Sequence, residues 1–325
     1  MIVVQTPLRV SFLGGGTDFD NFYIHHGGAV LSTAIDKFIF VVIKERFDDN
    51  IHVNYTKKEV VDQVDQLKHE LVRESMRLTG VVKGIDISTF ADIPAEGTGL
   101  GSSSSITVGL LQALFTYQGQ TVSTKTLAEE ACHIEIEIVG KPIGRQDQYI
   151  AAYGNMQLIT FSKDGIEIEK VGLSPEEKQR LNDNLLLFYT GITRKSSEIL
   201  SEQKANIGKN IELLHEIHKL VYKARDAILE SEFDAFGEVL HKGWELKKQL
   251  ASNISNSTID EIYDVARRVG AIGGKVTGAG GGGFLLLYCP KDRQDDVTIA
   301  LKGLRRLPFR FEQDGSKVIF NYRRS

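Results

Sequence analysis

The segment with the most chemical capacity runs Gly97-Thr98-Gly99-Leu100-Gly101-Ser102-Ser103-Ser104, with Pro94 ahead of it and the apolar series Ile106, Val108, Leu110 and Leu111 behind it. A strand-like run, Ile85 to Phe90, lies upstream, so the order is strand, glycine-rich loop, helix start. The first backbone N–H groups of a helix lack intrahelical acceptors and carry the positive end of its dipole. Glycines let the backbone approach a bulky anion, and serine hydroxyls can bond phosphate oxygens or ligate Mg²⁺. Phosphate binding is the chemistry this stretch could do; a flexible Gly/Ser loop before a well-capped core helix is the plainer alternative. No Gly-Lys-Ser/Thr follows, so the loop is not a Walker A motif, and it lacks the dinucleotide fingerprint.

A second glycine-rich stretch, Lys275-Val276-Thr277-Gly278-Ala279-Gly280-Gly281-Gly282-Gly283, stands just ahead of the apolar strand Phe284 to Tyr288. Six glycines between positions 274 and 283 cost too much chain entropy for an ordinary connection. Close backbone approach to a ligand accounts for them better than a flexible hairpin. Thr190 to Ser197 joins a strand end, the cations Arg194 and Lys195, and hydroxyls at a helix start. It could hold a phosphate already on a substrate, or be a capped helix with two exposed cations. Lys37, Lys141 and Arg145 are weaker candidates for that phosphate. Taken singly, Asp18 reads as a turn-capping aspartate, Arg9 as a surface arginine, Glu135 and Glu137 as solvated helix residues, and Asp147 as a helix N-cap. His25 and His26 have no metal partner at a recognisable spacing.

Taken in order, three motifs resemble those of the GHMP kinases, the superfamily of galactokinase, homoserine kinase, mevalonate kinase and phosphomevalonate kinase. The first is Pro7-Leu8-Arg9-Val10 leading to Gly14-Gly15-Gly16-Thr17-Asp18-Phe19. The second, Pro94 to Ser103, matches Pro-x-x-x-Gly-Leu-Gly-Ser-Ser with one extra residue before the glycines, and the third is Lys275 to Gly283. The resemblance extends over nearly the whole length. It implies that Pro94, Gly97, Gly99, Leu100, Gly101, Ser102, Ser103 and Ser104 bind ATP. Ser103 and Glu135 would ligate Mg²⁺, with Glu137 as the alternative to Glu135. Asp147 would orient or deprotonate the attacking sugar hydroxyl, and Arg9 would offset charge near the reacting oxygen. Gly15, Gly16, Thr17, Asp18 and Arg145 would contact the sugar, Gly278, Ala279, Gly280 and Gly281 would close over it, and Arg194 and Lys195 would take a phosphate on it.

Galactokinases carry an acid and a histidine where this chain has Gly15-Gly16. With Gly144-Arg145-Gln146-Asp147-Gln148-Tyr149, that difference most resembles members acting on D-glycero-α-D-manno-heptose 7-phosphate. Those members phosphorylate its anomeric C1 hydroxyl to the 1,7-bisphosphate, on the way to nucleotide-activated heptose. A kinase of L-fucose or another free sugar is the nearest alternative, and a catalytically silent sugar sensor the other.

The elements that must position these residues are legible in outline. Strand runs cover Ile2 to Val4, Val10 to Leu13, Lys37 to Ile43, Ile51 to Tyr55, Leu185 to Tyr189, Phe309 to Phe311 and Val318 to Phe320; a hairpin turns at Lys163-Asp164-Gly165. Helical patterns cover Asp62 to Leu78, Thr124 to Val139, Thr258 to Val269, Arg293 to Leu304 and a long stretch from Lys195 to Leu250 broken near Gly208 and Ser231. Strands and helices in runs, without regular βαβ alternation, predict an α+β fold. We expect two domains, residues 1–165 and 166–325. The resemblance implies a first domain like ribosomal protein S5 domain 2, a ferredoxin-like second domain, and a site between them.

The chain's 325 residues are 42% hydrophobic and 25% charged, with a net charge of −4, which points to a globular protein without a nucleic-acid or anionic-membrane partner. Cys132 and Cys289 form no metal-spaced pair and read as buried free thiols. Neither a signal-peptide pattern nor a membrane-spanning run is present, so a cytoplasmic enzyme is expected. The pattern leaves monomer and homodimer open.

Overall fold

Eight of the twelve residues of β1 (Ile2–Leu13) are apolar, Pro7 included, and the strand continues unbroken through that proline. It pairs antiparallel with the long β2 (Gly28–Glu45). The two shorter strands expected around Thr6–Arg9 are thus one. Register slips between Pro7 and Leu8, where proline has no N–H to give to the ladder. The computed structural model describes residues 1–94 and 97–322. Ala95 and Glu96, inside the second motif, and the last three residues lie outside the described residues.

The short helix α1 (Asp20–His26) joins β1 to β2. Then follow β3 (Ile51–Asn54), β4 (Lys58–Val61), α2 (Glu70–Thr79), β5 (Ile85–Ala91), α3 (Ser102–Tyr117), α4 (Thr124–Cys132), α5 (Gln146–Tyr153), β6 (Met156–Ser162) and β7 (Gly165–Lys170). The second half contains α6 (Pro175–Asp183), β8 (Leu185–Tyr189), α7 (Ser196–Ala205), α8 (Ile211–Leu229), α9 (Phe233–Lys247), α10 (Ser257–Arg268), β9 (Gly273–Val276), β10 (Phe284–Tyr288), α11 (Gln294–Ala300), β11 (Arg305–Arg306) and β12 (Lys317–Asn321).

Three sequence expectations need correction. The helix expected from Asp62 begins only at Glu70, where the His69 side chain accepts from the Val72 N–H; a 3₁₀ turn over Val64–Gln66 precedes it. The expected 309–311 strand is a single bridge between Phe311 and Ile35, and the pairing falls to Arg305–Arg306 instead. The helix expected over 293–304 is Gln294–Ala300.

The described residues form two sheets. The first runs β12-β1-β2-β5-β3-β4, with β6 also on β2 and β7 on β6; the second runs β11-β8-β10-β9. The second is antiparallel, with helices in the β8–β9 and β10–β11 connections, which is the ferredoxin-like βαββαβ order. Residue 165 falls in the turn of the β6–β7 hairpin, so β7 stays in the first sheet and β12 returns to it from the chain's far end.

One core cluster wraps α3 (Val108, Leu110, Leu111, Leu114) against β1 and β2. The other gathers Trp244, Tyr263, Leu285 and Leu287 of the second half and draws in Phe19 and Phe22 from the first. Each such side chain contributes about 1.5–3 kcal/mol on burial. Because Phe19 and Phe22 anchor α1 in the second core, the residues just before them are clamped at the seam. That seam is where the three motifs meet.

Candidate active site

One side of the site is built by two interlocked glycine loops. Gly101, at φ 80°, turns the chain into α3, whose first residue Ser102 has a buried hydroxyl without a hydrogen-bond partner. A Cβ on Gly99 (φ +72°) would stand 2.5 Å from the Thr277 carbonyl oxygen, and one on Gly278 would stand 2.7 Å from Gly99 Cα. Only glycine permits that backbone-to-backbone approach. The Thr277 hydroxyl donates to the Thr98 carbonyl at 3.2 Å, locking the second and third motifs together. Between them a cavity of about 280 Å³ is lined by Arg9, Gly97 to Ser104, Lys141, Asp147, Arg194 and Gly278 to Gly280. An orphaned hydroxyl and unpaired helix-start amides suit a polyphosphate.

β1 carries Arg9 under this loop. Its backbone N–H donates to the Leu100 carbonyl at 3.0 Å and its Nη1 to the Gly99 carbonyl at 2.5 Å. Nε and Nη2 then fork onto the two Asp147 oxygens at 2.7 and 2.6 Å. The arginine is 5% exposed, so this bidentate pair is a partly desolvated, oriented contact rather than a surface ion pair. Asp147 sits in the first turn of α5.

Glu135 is fully buried. Its turn, His133–Ile138, is π-helical, and this wider winding follows directly on α4. Its oxygens accept from Ser103 Oγ at 2.5 Å, Ser104 Oγ at 2.6 Å and Gln148 Nε2 at 2.8 Å. Lys141 Nζ lies 2.8 Å from Glu135 Oε1 and 2.5 Å from Ser103 Oγ, so a cationic group already stands where those two oxygens converge. Glu137 faces outward instead, paired with His133 at 2.7 Å and Arg145 at 3.3 Å.

A narrow second cavity opens on the other side of Arg9 and Asp147, lined by Ser11, Gly15, Gly16, Asp18, Gln146, Gln203, Lys247 and Lys275. Asp18 accepts from the Gly16 N–H and from Gln146 Nε2, both at 2.9 Å. Burial pushes its carboxyl up, and those hydrogen bonds pull against the shift. Gln146 is itself held by Ser11 Oγ at 2.6 Å.

Other expected contacts lie elsewhere. The Thr17 hydroxyl is spent on the Gly14 and Ala29 carbonyls at 2.8 and 2.9 Å. The Arg145 side chain turns to Asp20 and Glu137, each at 3.3 Å, away from both cavities. Gly281 borders neither cavity; its N–H donates to the Ile254 carbonyl at 2.7 Å. Arg194 borders only the larger cavity between the glycine loops, Lys195 is exposed beside it, Pro94 is exposed, and Lys37 pairs with Asp36 at 2.8 Å.

Sequence reasoning passed over Lys247, Lys275 and Gln203. A signal existed for Lys247, which continues the apolar face Phe236, Leu240, Trp244 of α9, a position where a lysine needs a reason. Among the described residues no helix is long and apolar enough to cross a membrane.

A two-layered site with a glycine loop and helix start on one side, a polar pocket on the other and a carboxylate at their shared wall has the parts a nucleotide-dependent small-molecule kinase needs. The chain belongs to the GHMP kinases: the model of the GHMP kinases N terminal domain matches residues 55–155 and that of the GHMP kinases C terminal domain residues 224–303. It is therefore an ATP-dependent sugar kinase, a phosphotransferase with an alcohol acceptor. It is 28% identical over 316 residues to D-glycero-alpha-D-manno-heptose 7-phosphate kinase of Campylobacter jejuni, covering 93% of each chain. It is 26% identical to a bifunctional fucokinase/GDP-fucose pyrophosphorylase of Arabidopsis thaliana, covering 87% of this chain and 29% of that longer one. A crystal structure described as a D-glycero-D-manno-heptose 1-phosphate kinase from Bacteroides thetaiotaomicron superposes with a TM-score of 0.83 at 25% identity, over 99% of this chain and 100% of that one.

Proposed function

We propose that this sugar kinase transfers the γ-phosphoryl group of ATP to the anomeric C1 hydroxyl of D-glycero-α-D-manno-heptose 7-phosphate, giving the 1,7-bisphosphate for GDP-heptose synthesis in the cytoplasm. The observation that carries the reading is the shared wall. Arg9, Asp147, Gly278 and Ala279 border both cavities, so a fixed carboxylate stands where donor and acceptor meet. The likeness to the Campylobacter heptose 7-phosphate kinase over nearly the full length of both chains supports the substrate class.

In this reading the Gly99–Ser104 amides and the Ser102 hydroxyl hold the ATP phosphates. Asp147 accepts the hydrogen bond of the C1 hydroxyl and takes its proton as the O–P bond forms and ADP leaves. Its oxygens keep lone pairs free beyond the Arg9 fork. Arg9 orients that carboxylate and offsets charge on the transferring group. Asp18, held by Gly16 and Gln146, accepts from sugar hydroxyls. Ser103 and Glu135 would hold Mg²⁺. They fit it: two hard oxygens converge on the point the Lys141 ammonium now occupies, leaving further positions for phosphate and water oxygens. When bound, that ion supplies charge neutralisation on the phosphates. Arg194 borders the donor cavity alone, which supports a role on nucleotide phosphate rather than on the acceptor. We take the first domain to run through β7 and to include β12, with the second between them.

A coupled ADP-release assay over heptose 7-phosphate, mannose 6-phosphate, L-fucose, mannose and galactose tests the substrate. Strong preference for the heptose phosphate is expected. Preference for a free sugar would move the enzyme to the fucokinase reading, which the likeness to two fucokinase-containing proteins favours; no turnover on any of them would favour the silent sensor.

A further inference from the structure

The acceptor cavity holds two lysines that the reading above does not use. Lys247, at the end of α9, is 7% exposed, and Lys275, on β9, is 4% exposed. The Lys247 ammonium donates to the Gly278 carbonyl and the Lys275 ammonium to the Ser11 carbonyl at 2.8 Å. Among the described residues neither forms an ion pair with a carboxylate. The charged groups facing them are Arg9 on β1, Asp147 on α5, Asp18 of the glycine turn, and each other. Arg9 and Asp147 are committed to each other, so Asp18 alone remains against two buried lysines. A buried charge without a counter-ion is costly, and burial accordingly holds the Lys275 amine well below the ordinary lysine range, which leaves Lys247 as the cation of the pair.

The first motif faces the same lysine and a second donor. A Cβ on Gly15 would stand 3.8 Å from Lys247 Nζ, and one on Gly16 would stand 2.3 Å from Gln203 Nε2. That Gln203 amide nitrogen is buried and has no hydrogen-bond partner, and the residue is 3% exposed. Gly16 thus packs directly against the unpartnered donor, and Gly15 leaves the approach to the Lys247 ammonium free of a side chain, with both partners reaching across from the second half of the chain.

We propose that Lys247 and Gln203, with the Lys275 amine behind them, bind the phosphate already present on the acceptor sugar and make the kinase selective for sugar phosphates over free sugars. This rests on the heptose 7-phosphate reading and gives it a receptor that Arg194 and Lys195 do not provide from their places at the donor cavity and the surface. Burial holds the Lys247 ammonium down to about 8, so selectivity is strongest where the lysine is still protonated.

The test compares kcat/KM for heptose 7-phosphate and for the unphosphorylated heptose in the wild type, Lys247→Met, Lys247→Arg and Gln203→Leu. The expected result is a fall in the phosphate-over-free-sugar ratio of about 100-fold in Lys247→Met and about 10-fold in Gln203→Leu, with partial recovery in Lys247→Arg. Gln203→Leu removes an amide nitrogen without a hydrogen-bond partner in the fold, so it keeps the test open if Lys247→Met fails to fold. Equal losses on both acceptors would overturn the proposal and place the lysine on the transferring phosphoryl group. A wild type that prefers the phosphate while both variants keep that preference would overturn it and leave the heptose 7-phosphate reading standing. A wild type with no preference would overturn both.

Discussion

Asp147 and Arg9 form the contact on which the proposed phosphoryl transfer depends, because one guanidinium both fixes the carboxylate and ties it to the Gly99 carbonyl. Asp147→Asn keeps the shape and loses the proton acceptor, so kcat should fall by roughly 10³-fold. ATP affinity should change less than about threefold, as measured by single-turnover kinetics alongside binding of a fluorescent ATP analogue. Lys247 adds a pH signature. Burial lowers its pKa from 10.5 to about 8. Below about 8 it is charged in folded and unfolded chain alike. Between about 8 and 10.5 the unfolded chain binds more protons, so in the free enzyme this lysine's share of stability rises with pH. The proposed binding of an acceptor phosphate runs the other way, because it needs the ammonium. The profile of kcat/KM for the phosphorylated sugar should bend downward above pH about 8, and Lys247→Gln should flatten that limb.

Among elements, the start of α3 and the loop before β10 function as one unit. Gly99→Ala puts a methyl 2.5 Å from the Thr277 carbonyl oxygen and forces a left-handed φ on alanine. The two loops should part, with ATP affinity down at least tenfold by calorimetry while the far-ultraviolet circular dichroism stays unchanged. The π-helical turn over His133–Ile138 has a comparable role, since it points Glu135 inward and leaves Glu137 at the surface. Remote from the site, α6 carries a full capping box, Ser174 with Glu177, reinforced by Ser231 Oγ at 2.8 Å. Ser174→Ala should cost about 1 kcal/mol in thermal unfolding and leave kcat untouched.

At the level of the whole molecule, the chain closes on itself: β12 pairs with β1, and Ser316 Oγ meets Thr6 Oγ1 at 2.8 Å. β1 is also the strand that carries Arg9. Truncation before Ser316 should therefore lower the unfolding midpoint and promote association through the bared edge of β1; a melting curve and light scattering check both.

Local order was readable without coordinates. Glycine density, a serine run at a helix start and strand-length apolar runs depend on neighbours in sequence, so the glycine loop that opens α3, the α+β character and the breaks in the long helical stretch were legible in the residues themselves. Tertiary structure alone decided what met across the chain. Arg9 reaches Asp147 over 138 positions. Lys247 comes to Gly15 on an otherwise apolar helix face, and the last strand returns to the first. An apolar pattern says that a face is buried and not what it is buried against. For that reason the glycine loop before α3 could be read from the sequence, whereas the narrow pocket assembled from both halves waited for the fold.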